Sequence, residues 1–325
     1  MRAVICKQFG DPADLVLEAV APPDLEPGTV RVDVHACGLN FADSLIIQGK
    51  YQVKPTPPFA PGMEVAGVVS ECGAGVETCA PGDRVIGMMS YGGLAEQAVV
   101  EAARVVPMPD SMDFVSGAAF PVVYGTSHVA LDRRARLRPG EVLLVLGAAG
   151  GVGLSAVEIG KIMGARVIAA ASSPEKLAVA KAHGADLLID YTKENLREKV
   201  KEMCGGADVI YDPVGGDALG EALRCINWEG RLIVIGFASG TIPRIPANYL
   251  LLKNCAAVGL FWGAYAKRDP AVVRASFETL LGWYTDKKFA PHVSHRLPLE
   301  RATEALALIT GRTATGKVVV TTGRD

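Results

Sequence analysis

Apolar and polar residues alternate in short bursts through the first hundred positions. "AVICKQF", "LVLEAV", "TVRVDVHACGL", "MEVAGVVSEC", "DRVIGMM" and "AEQAVVEAARVVPMP" carry this pattern, separated by "PG", "GD" and "GG" turn signals. No long helical period appears before about Ser111, which predicts a small strand-rich lobe, a partly closed barrel. The period then changes. "EVLLVLGA" (141–148) is a continuous apolar run suited to a central parallel strand, and "GLSAVEIGKIMG" (153–164) has helical spacing. "RVIAAA" (166–171) is a second strand and "SPEKLAVAKAHG" (173–184) a second helix; "LLIDY", "ADVIYDPVG" and "RLIVIGF" continue the alternation. Repeated β-α units with short connections predict a doubly wound parallel sheet. After Phe261 the pattern gives a helix near 269–287, strands near His292 and at 318–321, and a helix in "LERATEALALITG". Pattern alone lets this last part extend either domain.

A chain of 325 residues exceeds the size at which one core usually stops growing, so two domains are expected. With 50% hydrophobic and 21% charged residues and a net charge of -2, neither disorder nor a broad nucleic-acid-binding surface is indicated. The seven cysteines are scattered without a CxxC pair, which suits a reducing compartment. The uncharged run 114–131 is long enough to raise the question of a membrane span, but Pro121, His128 and its hydroxyl residues argue against lipid. The first residues lack a signal-peptide core. The expectation is a soluble, cytoplasmic protein without membrane insertion.

The first apolar strand runs into Ala148-Ala149-Gly150-Gly151-Val152-Gly153, an AxGxxG form of the dinucleotide-binding turn. Gly150 would let the backbone approach a pyrophosphate, Gly153 would let helix and strand pack closely, and the helix N-terminus would hold the phosphates. The second strand ends Ala169-Ala170-Ala171, where NAD-binding proteins place an acid for the ribose hydroxyls. Ser172, Ser173 and Lys176 follow instead. A hydroxyl and an ammonium would accept a 2′-phosphate, so NADPH is the expected cofactor. Ser173 has a plainer reading as the cap of a helix starting at Pro174, with Lys176 solvated.

An ordered set of segments gives the chain a family resemblance: "HACGLNFADSLIIQGKY" (35–51), "PFAPGMEVAGVV" (58–69), "PGDRVIG" (81–87), "GGLAEQAVV" (92–100), the AAGGVG turn and "GRTATGKVVV" (311–320). It resembles the medium-chain dehydrogenase/reductase superfamily, and within it the zinc-free quinone oxidoreductases of the zeta-crystallin type. The resemblance implies a GroES-like catalytic domain (1–120 and 261–325) and a Rossmann domain (121–260), with substrate and nicotinamide in the interdomain cleft of a homodimer. Zinc alcohol dehydrogenases place a ligand Cys where this chain has Asn40 and a ligand His where it has Met63. A catalytic zinc needs about three protein ligands, so no metal is expected and the chemistry points to reduction.

The resemblance also assigns residues. Asn40 is the family's active-site Asn, a hydrogen-bond donor to a quinone or enone oxygen, with a turn residue as the plainer alternative. Tyr51 is a hydroxyl or a wall of the substrate cleft, or simply packing, and Tyr124 is either in contact with the cofactor or core. Lys176 and Tyr191 match positions around the 2′-phosphate, and Arg312 the C-terminal Arg that reaches it. Gly215, Gly236 and Phe237 end strands on the cofactor side, and Phe261 and Gly263 re-enter beside the nicotinamide. The implied activity is NADPH-dependent quinone reduction without zinc. The alternative is reduction of an enone, 2-alkenal or enoyl thioester, for which no dedicated acid is evident in the sequence.

Overall fold

The computed structural model describes residues 1–324. It divides into two compact units, Met1–Val122 with the chain from Ala290 onward, and Val123–Phe289.

The first unit opens with β1 (Arg2–Ile5) and β2 (Val16–Ala19), an antiparallel pair. Its main sheet contains β3 (Thr29–Leu39), β4 (Glu64–Cys72), β5 (Arg84–Met88), β6 (Gln97–Glu101) and β7 (Val105–Pro107). The second unit contributes a separate six-stranded sheet: β8 (Val142–Leu146), β9 (Arg166–Ala171), β10 (Leu187–Asp190), β11 (Ala207–Asp212), β12 (Ile226–Val234) and β13 (Ala256–Gly259). The chain then returns to the first sheet as β14 (Val293–Pro298) and β15 (Lys317–Thr321), giving the order β14-β15-β3-β4-β5-β7 with β6 also on β3.

The strand-rich reading of the first hundred residues holds, with one helix it missed, Phe41–Ile47. "FADSLII" is too short for a helical period to stand out, and it begins with Asn40 as N-cap. Apolar residues of β3, β4, β5 and β15 alternate into a core closed by Leu299, Ala305 and Leu306.

In the second unit every strand pairing is parallel, in the order β10-β9-β8-β11-β12-β13. Residues 143–146 of β8 are buried because helices cover both faces, which is why this strand reads as an uninterrupted apolar run. The order reverses between β8 and β11, the topological switch at which such sheets bind ligands beyond the carboxyl ends of their strands.

The two compact units part at Val122/Val123 and at Phe289/Ala290, where the resemblance puts the second domain at 121–260. The chain stays in the second unit through Phe289. Its helix Pro270–Thr285 packs there: His128 Nδ1 lies 2.9 Å from Ser276 Oγ, and Phe289 stacks on Tyr124 with ring centroids 4.4 Å apart. The uncharged run at 114–131 breaks at Pro121 into short helices, and no helix among the described residues is long and apolar enough to cross a membrane.

Candidate functional site

In the second unit, β8 ends at Leu146 and the turn through Gly147, Ala148 and Ala149 delivers the chain to Gly150, the N-cap of the helix Gly151–Ile162. Gly150 is exposed, while Ala149 is buried. Gly151, Val152 and Gly153 form the first helical turn, whose amides precede any intrahelical acceptor. A Cβ on Gly153 would lie 2.2 Å from the Gly147 carbonyl oxygen and 2.9 Å from Ala148 Cα. Only glycine lets the helix approach the strand this closely, as the sequence pattern implied.

Two further turns gather at the same sheet end. Asp212 closes β11 and its Oδ1 accepts from the Val214 and Gly215 amides at 2.8 and 2.9 Å. Gly215 takes a φ of 68° that a side chain would strain. The loop after β12 is tied to this turn by the Ala238 amide to Pro213 O (3.0 Å) and the Ser239 amide to Val214 O (2.9 Å). Phe237 stands against Gly215 and Gly236 reaches Asp212 O, so Gly215, Gly236 and Phe237 converge.

Beyond β9, Lys176 Nζ donates to Ser172 Oγ at 3.2 Å. Ser173 Oγ accepts from the Lys176 amide at 3.4 Å and caps the helix Pro174–Ala182, the plainer reading of that residue. The Tyr191 amide bonds Ala171 O at 3.2 Å, which places Tyr191 beside the same strand end. This cradle fits a phosphorylated dinucleotide: a tightly packed glycine turn at a helix start, and a hydroxyl-ammonium pair where an acid would repel a 2′-phosphate.

The structure does not bring every candidate into this group. Tyr124 lies in the unit's core, its hydroxyl donated to Glu158 Oε2 at 2.6 Å, and Glu158 Oε1 is 2.7 Å from His183 Nδ1. That is the geometry of the packing alternative, and burial beside Glu158 pushes the phenol pKa far up. Phe261 is exposed, with its ring near Gly263, while the adjoining Trp262 fills the space over Gly125. Arg312 belongs to the first unit, exposed at a φ of 56° just after the helix Ala302–Thr310.

The first unit holds a second polar centre. Asn40, at the end of β3, is buried, and its Nδ2 donates to Glu64 Oε1 at 2.7 Å. Lys317, the first residue of β15, donates through Nζ to Asn40 Oδ1 (2.8 Å), Leu39 O (2.6 Å) and Glu64 Oε1 (2.7 Å). Glu64 Oε2 accepts from the Val122 amide at 2.7 Å. The Asn40 amide donates to Asp43 Oδ2 at 2.8 Å. Asp43 is fully buried, and burial raises its carboxyl pKa to about 7 despite that bond and the Lys317 charge. Tyr51 is partly buried against the same core, and burial with the Asp43 charge holds its phenol protonated. Burial also pushes the Cys37 thiol well up, which removes it as a nucleophile.

Lys317 is the member of this centre that sequence reasoning missed. Its segment "TGKVVV" is a family mark, and nothing local in it shows that the lysine is buried against Asn40, 277 residues away. At the two zinc-ligand positions stand Asn40 and Met63, and Met63 packs against the apolar core. Among the described residues no three His, Cys, Asp or Glu side chains stand together as a metal site.

Comparison with known proteins agrees with this architecture. A family model for the alcohol dehydrogenase GroES-like domain matches residues 26–110, and one for zinc-binding dehydrogenases matches 151–283. The quinone oxidoreductase-like protein 2 homolog of Nematostella vectensis is 44% identical over 99% of this chain and 89% of its own. Human quinone oxidoreductase is 33% identical, over 98% of this chain and 97% of its own. A solved quinone oxidoreductase of Thermus thermophilus, also known in complex with NADPH, superposes with a TM-score of 0.86 at 37% identity, covering 99% of this chain and all of its own (100%). With Asn40 and Met63 in place of the two zinc ligands, the chain belongs to the zinc-independent quinone oxidoreductase branch of the medium-chain dehydrogenase/reductase superfamily.

Proposed function

We propose that this chain is an NADPH-dependent reductase whose acceptor is a quinone. The observation that carries the reading is Asn40: where zinc dehydrogenases hold a metal ligand, this chain holds a buried carboxamide clamped by Glu64 and Lys317. Bound NADPH supplies hydride to the acceptor. The chain's own contribution is a neutral donor, the second Nδ2 hydrogen of Asn40, for an acceptor oxygen that gains negative charge. The cofactor preference is supported by Ser172 and Lys176 at the end of β9, with Tyr191 beside them. The glycine turn at 149–153 takes the pyrophosphate, and the loops around Gly215, Gly236 and Phe237 border the nicotinamide, with Phe261 and Gly263 on the following segment.

A second reading, reduction of a 2-alkenal or enoyl thioester, is favoured by Tyr51. Its phenol stays protonated beside Asp43 and would supply the proton that an enolate needs. Initial rates of NADPH and NADH oxidation against matched quinones, 2-alkenals and enoyl thioesters separate the two. Turnover dominated by quinones is the expected outcome, and turnover confined to enones would overturn it.

A homodimer is supported by the second unit's edge. Among the described residues β13 ends the sheet without a further strand, and the preceding helix Ala247–Lys253 carries Leu251 and Leu252, 75% and 70% exposed.

A further inference from the structure

We propose that Lys317 and Glu64 are positioning residues that fix which way the Asn40 carboxamide points, and that Lys317 strengthens it as a donor. The inference rests on the reading that Asn40 meets the acceptor oxygen. A carboxamide has two ends of nearly equal size and opposite hydrogen-bonding sense. Here Oδ1 accepts from the Lys317 ammonium and Nδ2 donates to the Glu64 carboxylate, both buried. Turning the group over would set NH₂ against NH₃⁺ and a carbonyl against a carboxylate, losing two charge-assisted bonds at once. The orientation is therefore locked.

The remaining bonds make the lock rigid. Lys317 Nζ has three hydrogens and three acceptors, Leu39 O, Asn40 Oδ1 and Glu64 Oε1. Glu64 is held at its other oxygen by the Val122 amide. Asn40 itself is pinned through its backbone to Asp43. One Nδ2 hydrogen goes to Glu64, and the second has no partner among the described residues. A cation on Oδ1 draws electron density from the amide nitrogen and makes that second hydrogen a better donor. The gain matters most when the acceptor oxygen becomes negative, so it belongs to kcat and not to ground-state binding.

The test compares the wild type, Asn40→Ala, the charge-neutral pair Lys317→Met with Glu64→Gln, and the triple variant. The paired substitution avoids leaving one buried charge alone; single Lys317→Met and Lys317→Arg accompany it. With a quinone acceptor the pair should lower kcat by about tenfold or more, while the acceptor KM and the NADPH Kd stay within about twofold. In the Asn40→Ala background the same pair should cost less than about twofold, because the residue it positions is gone. Lys317→Arg should recover part of the loss. A second readout uses cofactor-free protein labelled with 15N-asparagine. The Asn40 side-chain amide should show two well-separated protons, one moved downfield by Glu64, and the separation should shrink in the pair. Equal losses with and without Asn40, or a wild-type kcat in the pair alongside an impaired Asn40→Ala, would overturn the positioning role alone. A wild-type kcat for Asn40→Ala would overturn the Asn40 reading, and this inference with it.

Discussion

Replacing Gly153 with alanine sets two physical effects against each other. Inside a helix, alanine is favoured over glycine by about 1 kcal/mol, so helix propensity alone predicts a more stable protein. The packing predicts the opposite. The new methyl carbon would sit 2.2 Å from Gly147 O, 2.9 Å from Gly147 C and 2.9 Å from Ala148 Cα, all backbone atoms of the turn itself. No rotamer change relieves a backbone contact, so the helix Gly151–Ile162 must move off β8 by roughly 1 Å to restore ordinary separation. Overpacking of this kind costs about 1–3 kcal/mol and sometimes more, and the rigidity of the neighbour places this site at the upper end. The net expectation is a loss of about 2 kcal/mol, or roughly 4–8 °C in Tm for a unit of this size. Gly220, exposed within the helix Gly216–Arg224, has nothing within 4 Å of its would-be Cβ, so Gly220→Ala should gain about 0.5–1 kcal/mol. Urea unfolding of both variants, with NADPH affinity followed by fluorescence, supplies the comparison. Gly153→Ala should weaken NADPH at least about tenfold, since the displaced amides are those proposed for the phosphates. If Gly153→Ala proves as stable as Gly220→Ala and binds NADPH normally, the close-approach argument is wrong.

Lys176→Ala with Ser172→Ala should raise the KM for NADPH by about tenfold or more while sparing NADH, and equal effects on both cofactors would sink the phosphate-pocket reading. Asp43 carries a folded-state pKa of about 7 against an ordinary 3.8, so this carboxyl favours the folded chain while protonated. Its stabilising balance is complete below the unfolded value and is lost as pH climbs through the folded one. Between pH 5 and 8 the wild type should lose about 3 kcal/mol relative to Asp43→Asn, measured by urea unfolding at each pH; a constant difference would contradict the shift. Metal analysis of purified protein should find no stoichiometric zinc, and a value near one per subunit would overturn the non-metal chemistry. Leu251→Lys with Leu252→Lys should turn a dimer into monomers in sedimentation, and an unchanged mass would remove that edge as the interface.

The geometry of the proposed cofactor cradle was legible in the sequence because its signals are local. A continuous apolar strand, an AxGxxG turn and an absent acid lie within about thirty residues, and backbone geometry converts each into position directly. Ser173 shows where such reading divides, since one hydroxyl suits both a cap and a phosphate; the structure uses it as a cap. Tyr124 shows a further limit, because its direction depends on Glu158, a partner one helix away. The polar centre around Asn40 was harder. Asn40 stood out through its motif, but Lys317 announced nothing, since a lysine at the head of an apolar strand is ordinarily solvated at its tip. The helix Pro270–Thr285 joins the second compact unit through His128, Trp283 and Phe289, contacts without a periodic trace in the sequence.

The order in which the chain contributes to its two units bears on how the protein is made. Val123–Phe289 is continuous and can fold during synthesis as soon as it leaves the ribosome. The first unit cannot, because the strand carrying Lys317 sits between β14 and β3, and its ammonium completes a centre begun at Leu39 and Asn40. Until that strand arrives, Glu64 lacks its Lys317 contact and the edge of β3 at 36–39 lacks its partner, so the nascent chain carries an unfinished sheet until β15 is made. A chain that stopped before β15 would have its glycine turn in place but would lack Lys317 in the Asn40–Glu64 centre, and would keep an open strand edge that invites aggregation.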